Sequence, residues 1–96
     1  MVANRLRTFV GFAIKKRGIV IGVDNITSSR GRIKVVLIDG DLSAKSAEKV
    51  SRYATDRGID CFTVNMASIL PERTCKAIGI TDSGLADAIK KELKES

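Results

Sequence analysis

The hydrophobic pattern is centred on one apolar run. Residues 35–38 are four consecutive aliphatic side chains, whereas a strand with one solvated face would alternate apolar and polar residues. Such a run is typical of a strand that is covered on both faces in the interior of a sheet. An Asp-Gly-Asp turn follows at 39–41, and Ser43 is placed to cap a helix after it. This stretch predicts a strand–turn–helix unit of an α/β protein.

Helical periodicity and short apolar runs alternate along the rest of the chain. Asn4, Asp24 or Asn25, Asn65 and Asp82 are placed to cap helices. The predicted helices cover about 4–16, 24–29, 43–57 and 66–70, with a last helix after 82, and the predicted strands cover 19–21, 35–38, 59–64 and 75–80. This alternation predicts an α/β sandwich with helices on both faces of a four-stranded sheet.

Length and composition limit the class of protein. The chain has 96 residues, of which 44% are apolar, which predicts a single folded domain over 1–96. Cys61 and Cys75 do not form a Cys-x-x-Cys pair, so we expect them to be reduced and buried core residues. No apolar run approaches membrane length, and no signal-peptide pattern is present. These features predict a cytoplasmic protein that does not contact a membrane.

Positive charge is concentrated in the first third of the chain. Residues 1–34 contain eight basic residues and one acid, a balance of +7, whereas the rest of the chain has a balance of −1. This separation predicts a polyanionic partner. Gly22 marks a strand–helix junction, and we expect Arg30, Arg32 and Lys34 to serve one phosphate tract near it. Because aromatic residues are few, backbone and shape recognition of a folded RNA is favoured over base stacking.

Enzymatic features are sparse. The chain has no histidine and no glycine-rich phosphate loop. Asp39 and Asp41 follow a strand, where they would suit either a phosphoacceptor or magnesium site or an ordinary turn. Cys75 beside Lys76 would suit either a reactive thiol or a core residue. We expect the structural alternative in both cases, and therefore a protein that is not an enzyme and needs no cofactor or metal.

Three segments resemble a known family. They are FVGFAIKKRGIVIG at 9–22, RGRIKVVLIDGDLS at 30–43 and GITDSGLADAI at 79–89. The chain resembles the kink-turn-binding ribosomal proteins of the L-seven-Ae and L-thirty-e superfamily, and among them the bacterial YlxQ-like branch. The resemblance implies a three-layer α-β-α sandwich with a four-stranded mixed sheet. It also implies that structured RNA, such as ribosomal RNA or the ribosome, binds at Gly22 and at the loop before the last strand.

The two implied RNA-binding regions depart from the family pattern. The family has Asn-Glu after the junction glycine and a lysine three residues later, where this chain has Asp24, Asn25 and Ser28. The family's second RNA-binding segment is replaced by a shorter one at 68–76. A protein-interaction module that has kept the fold and lost RNA binding is therefore an alternative. The predicted RNA-binding residues are Gly22, Val23, Asp24, Asn25, Ser28, Arg30, Arg32, Lys34, Arg73 and Lys76.

Overall fold

A computed structural model of the protein describes residues 2–29, 32–71 and 74–95. The helices are α1 (Val2–Lys15), α2 (Val23–Thr27), α3 (Ala44–Arg57), α4 (Met66–Ile69) and α5 (Ser83–Glu95). The strands are β1 (Ile19–Ile21), β2 (Val35–Asp39), β3 (Asp60–Val64) and β4 (Ala77–Ile80). No helix in the described part of the chain is long and apolar enough to cross a membrane.

The four strands form one mixed sheet in the order β1-β4-β2-β3. β2 pairs in parallel with β3, and β4 is antiparallel to both β1 and β2. The register places Ile19, Ile80, Val35 and Asp60 in one row across the sheet. β1, β2 and β3 therefore all run in the same direction.

The central strand β2 is covered on both faces, as its apolar run predicts. Every residue of β2 is buried. Val35 and Leu37 belong to one core cluster, which they share with α1, α4 and α5. Val36 and Ile38 belong to a second cluster on the other face, with α2 and α3. The sheet thus separates two helical layers, and the predicted α-β-α sandwich is confirmed.

The helix caps agree with the sequence in some places and differ in others. The Ser43 hydroxyl accepts a hydrogen bond from the Ser46 amide at 3.3 Å, and Asp82 Oδ1 accepts one from the Leu85 amide at 2.9 Å, as predicted. Asn4 is not a cap, because α1 already begins at Val2. Asn65 precedes α4, but its side chain makes no capping hydrogen bond.

The cysteines are less buried than expected. Cys61 lies on β3, and Cys75 lies before β4, which begins only at Ala77. Both thiols are free, as predicted, but the side chains are only half-buried where they pack against the two core clusters, so the prediction that they are buried is wrong. β3 is an edge strand with exposed positions, which explains why a residue on it is not enclosed. Partial burial raises the pKa of the Cys61 thiol.

Candidate nucleic-acid interface

Strand direction divides the charged residues between two ends of the sheet. At one end the Gly22 amide donates to the Ala77 carbonyl at 2.9 Å. At the other end the Lys34 amide donates to the Ile80 carbonyl at 2.7 Å. The junction end comprises Gly22, Asp39, Asn65 and Lys76, and the groove end comprises Gly18, Lys34, Gly58 and Thr81.

Lys34 does not lie beside Gly22. The two residues bond to opposite ends of β4, and Ala77 and Ile80 are about 10 Å apart along that strand at the usual rise per residue. Lys34 therefore does not lie at the junction, where the expectation of one phosphate tract near Gly22 would place it. The reason is topological: β1 and β2 are parallel, so the connection through α2 must return to the end where β1 began.

The junction itself is a glycine-dependent turn. Gly22 has a φ of 100°, which lies in the region that favours glycine, and its carbonyl accepts from the Ile26 amide. Asn25 Nδ2 donates to the Ile21 carbonyl at 2.8 Å, which ties the first turn of α2 back to β1. Val23 is half-buried against the core shared by α2 and α3. Gly22, Val23 and Asn25 thus fix the direction in which α2 leaves the sheet.

The other two predicted residues of α2 also have local partners. Asp24 is exposed, and its Oδ1 pairs with Lys49 Nζ of α3 at 3.1 Å. The Ser28 amide donates to the Asp24 carbonyl at 3.1 Å, and the Ser28 hydroxyl donates to the Asn25 carbonyl at 3.3 Å. Ser28 therefore closes the last turn of α2.

Asp39 has an unexpected function in the fold. Its Oδ1 accepts from the Met66 amide at 2.8 Å, so it caps α4 in place of Asn65. Its Oδ2 accepts from the Asp41 amide at 2.9 Å and lies 3.5 Å from Lys76 Nζ. The Met66 and Asp41 amides, together with Lys76, hold the pKa of the Asp39 carboxyl below its usual value. A cap that spans 27 residues leaves no local signal in the sequence.

The hollow at the junction end is acidic. A depression of about 350 Å³ is lined by Asp39, Asp41, Asn65 and Lys76, among others. The cation in this set, Lys76, is already paired with Asp39. Within the described residues no group of three or more metal-binding side chains comes together. The charge of the described residues that line this hollow therefore opposes phosphate more than it attracts it.

The groove end has the opposite charge. A groove of about 340 Å³ is lined by Lys34, Arg57 and Lys90 together with Asp87 and Ser83. Arg57 and Lys90 were missed from the sequence because they come from α3 and α5, far from the basic first third. Only the packing of those helices brings them to Lys34.

Several cations of the first third also lie near this end. Lys16 follows α1 and pairs with Asp82 at 3.5 Å. Lys15, Arg17, Arg32 and Lys34 are exposed, and none of them has an ion-pair partner within 2–29, 32–71 and 74–95. Two further predicted RNA-binding residues, Arg30 and Arg73, lie outside the described residues.

The fold is shared with solved structures, whereas the sequence matches no protein-family model and no curated protein. A protein of unknown function from Bacillus halodurans is similar with a TM-score of 0.85 and 16% identity, over 93% of this chain and 96% of that chain. A 15.5 kD RNA-binding protein from Giardia lamblia is similar with a TM-score of 0.73 and 16% identity, over 98% of this chain and 86% of that chain. At these identities the likeness shows a common fold, which agrees with the fold implied by the sequence resemblance.

Proposed function

We propose that the chain is a small, non-enzymatic RNA-binding protein that recognises structured RNA through phosphate and backbone contacts. The observation that carries the proposal is the set of exposed cations, Lys15, Arg17, Arg32 and Lys34, without ion-pair partners in the described part of the chain. When such cations neutralise phosphates, counterions held by the RNA are released, and this release favours binding. RNA is favoured among polyanions because the fold is similar to that of the Giardia RNA-binding protein.

The finer part of the proposal is a preference for kink-turn-like RNA. It is supported by the strand–helix junction at Gly22, which matches the junction glycine of the family resemblance and has a φ of 100°. Lys76 lies at the same end of the sheet, in the segment that corresponds to the family's second RNA-binding loop. Ribosomal RNA is the first partner to test, because the resemblance is to ribosomal proteins of the YlxQ-like branch and their relatives.

The proposal assigns no catalytic role to the acidic turn. Both carboxylate oxygens of Asp39 already accept backbone hydrogen bonds, from Met66 and Asp41. A magnesium ion at Asp39 would also have to compete with the Lys76 ammonium, which lies 3.5 Å from Oδ2. We therefore expect that titration with magnesium leaves the backbone amide signals of Asp39 and Asp41 in place. A saturable shift at low magnesium concentration would favour a metal site.

A second candidate function is supported by the charge of the junction end. Asp24 and Asp41 are exposed there, and Asp24 neutralises Lys49 at 3.1 Å. Carboxylates at the position that would approach RNA favour the alternative of a protein-interaction module on the same fold. The two functions differ in what the wild-type protein binds at low salt.

The test compares a kink-turn RNA with a plain hairpin of equal length. We expect wild-type protein to bind both at low salt and to prefer the kink-turn only modestly, because Asp24 stands where the family has a neutral amide. Asp24→Asn removes this charge and releases Lys49, so it should strengthen binding of the kink-turn. The double variant Asp24→Asn/Asn25→Glu restores the family motif and should increase the preference further, although it loses the hydrogen bond from Asn25 to Ile21.

Gel-shift titrations at two salt concentrations measure these preferences. Asp56→Asn is a suitable control, because it also removes one exposed carboxylate but lies in the last turn of α3, beside Arg57 at the other end of the sheet. If wild-type protein binds neither RNA at low salt, the RNA-binding proposal fails and the protein-interaction module is favoured. If wild type binds the kink-turn tightly and selectively, the departures at Asp24 and Asn25 have little effect on recognition.

A further inference from the structure

We propose that the groove end is a phosphate-binding site for the backbone of RNA, separate from the Gly22 junction. This proposal rests on the proposed RNA-binding function and adds a second place on the protein where RNA binds. The site is the groove lined by Lys34, Arg57 and Lys90. It lies about 10 Å from the junction end along the strands, so the two ends would contact different phosphates.

Three elements bring the cations of the groove together. Lys34 directly precedes β2, Arg57 is the last residue of α3, and Lys90 lies on α5. Their convergence produces one groove of about 340 Å³. Lys90 is paired with Asp87 and Asp60, so Lys34 and Arg57 are the two groove cations whose repulsion a bound anion would offset.

The backbone that presents Lys34 is held in place. Ile33 is 3% exposed and packs directly over Gly79 of β4. The Lys34 amide donates to the Ile80 carbonyl at 2.7 Å, which continues the β-ladder by one residue. The backbone of Lys34 is therefore already ordered in the free protein, and only its exposed side chain has to be ordered on binding.

Arg57 is also held without being neutralised. Its guanidinium carbon lies 4.8 Å from the centre of the Tyr53 ring. The Tyr53 hydroxyl donates to the Ser29 carbonyl at 2.8 Å, which fixes the ring. A stacked guanidinium keeps its charge and its N–H donors, which suit a phosphate group.

The charge balance of the groove favours an anion. Its three cations face one carboxylate, Asp87, which pairs with Lys90 at 3.6 Å, so the lining has a net charge of +2. Asp60 lies near Lys90 at 4.0 Å and near Lys94 at 3.9 Å, and thus is itself paired with two cations. Lys34 has no ion-pair partner in the described part of the chain.

The chemistry of the groove fits a phosphodiester backbone better than a nucleotide base. No aromatic ring among the described residues lines it, so bases have no surface there on which to stack. Lysine and arginine charges around a polar groove are the usual means of neutralising phosphates. Arg32 is exposed two residues before Lys34, which would extend the basic surface along the RNA.

The test compares two double variants that remove the same number of charges. Lys34→Gln/Arg57→Gln removes two cations of the groove, and Lys45→Gln/Arg52→Gln removes two exposed cations of α3 that lie outside it. Binding of a structured RNA is measured by gel shift over a series of salt concentrations. The plot of log affinity against log salt has a negative slope. The groove variant should make this slope shallower by roughly 1.4 to 1.8, at 0.7–0.9 for each phosphate contact. The control variant should leave the slope near that of the wild type.

The outcomes separate this proposal from the proposed function. If wild-type protein binds RNA and the groove variant has the slope of the control, the groove proposal is overturned while RNA binding stands. An equal decrease in both variants would show a dependence on net charge alone and would also overturn it. If wild-type protein binds no RNA at low salt, the proposed function fails, and the groove proposal fails with it.

A second measurement does not depend on the variants. Titration of wild-type protein with a short oligouridylate should shift the backbone amide signals of Lys34, Arg57 and Lys90. Shifts confined to Gly22, Asp24 and Lys76 would place the phosphates at the junction end instead and would contradict the proposal. Lys34→Gln alone replaces the double variant if loss of the Arg57–Tyr53 contact unfolds the protein, with an expected decrease in slope of about 0.7–0.9.

Discussion

The junction end and the groove end lie on the same four strands, but their charged side chains have different partners. At the junction end Asp39 accepts hydrogen bonds from two backbone amides and pairs with Lys76, and Asp24 pairs with Lys49. At the groove end Lys34 has no ion-pair partner among the described residues, and Arg57 stacks on a ring that leaves its charge intact. The first arrangement holds the fold together, whereas the second leaves cations available to a partner.

This difference shows why a basic stretch of sequence is not the same as a basic surface. The first third of the chain holds the whole positive excess. The parallel connection from β1 to β2 nevertheless places Gly22 and Lys34 at opposite ends of the sheet. Charges that are near each other in sequence are separated, and Arg57 and Lys90, which are distant in sequence, join Lys34.

The largest expected effect is on stability, and it concerns β2, the strand that runs from the groove end to the junction end. Leu37 is fully buried in β2, so Leu37→Ala should lower the free energy of unfolding by about 2–5 kcal/mol through lost burial and a cavity. Denaturant unfolding measures the loss. Lys45→Ala, at an exposed position on α3, is the control and should change stability by less than about 0.5 kcal/mol. Equal midpoints for the two variants would contradict a central position for β2 and remove the basis for two separate ends.

A smaller effect is expected at Gly79, which positions the groove end. A methyl group on Gly79 would lie 2.9 Å from Ile33 Cδ1 and 3.1 Å from Cγ2. Gly79→Ala should therefore cost about 1–3 kcal/mol of stability through overpacking. The double variant with Ile33→Val relieves part of the clash, and a double-mutant cycle measures the coupling. Strict additivity would show that Ile33 does not hold the segment before β2 against the sheet.

A pH-dependent effect is expected at the junction end. The pKa of the Asp39 carboxyl is lowered in the folded protein, so the carboxylate contributes stability above the ordinary carboxyl pKa. This contribution is lost as the pH falls through the lower, folded value. Asp39→Asn should be less stable than wild type at about pH 7, and the difference should shrink toward about pH 2.5. Denaturant unfolding at both pH values tests this, and a difference that does not depend on pH would contradict the role of the charge.

The smallest expected effect is on RNA binding, and it compares one lysine at each end of the sheet. Lys76 is paired with Asp39 at 3.5 Å, whereas Lys34 is not paired within the described residues. Lys34→Gln should therefore make the negative slope of log affinity against log salt shallower by about 0.7–0.9, and Lys76→Gln should change it by clearly less. Both variants remove one charge, so each is the control for the other. A larger decrease for Lys76→Gln would place the bound phosphates at the junction end.

The sequence alone determined the elements and the layers. The apolar run at 35–38 predicted a doubly covered strand, and Ser43 and Asp82 predicted the starts of α3 and α5, because these signals are local. The structure differs from these predictions where a residue distant in sequence, or the position of a strand in the sheet, decides the outcome. Asp39 caps α4 from another strand, which Asn65 was expected to do, and the edge position of β3 leaves Cys61 half-exposed.

The candidate site depended on tertiary structure to a greater extent. Gly22 and the turn into α2 could be recognised from the sequence, because a glycine between a strand and a helix is a local feature. The position of Lys34 could not be recognised from the sequence, because it depends on strand order and direction, which no short segment encodes. The groove exists only because α3 and α5 pack beside the start of β2 and bring Arg57 and Lys90 to it. Local backbone chemistry thus determined where α3 and α5 begin, and long-range packing decided which charges lie together.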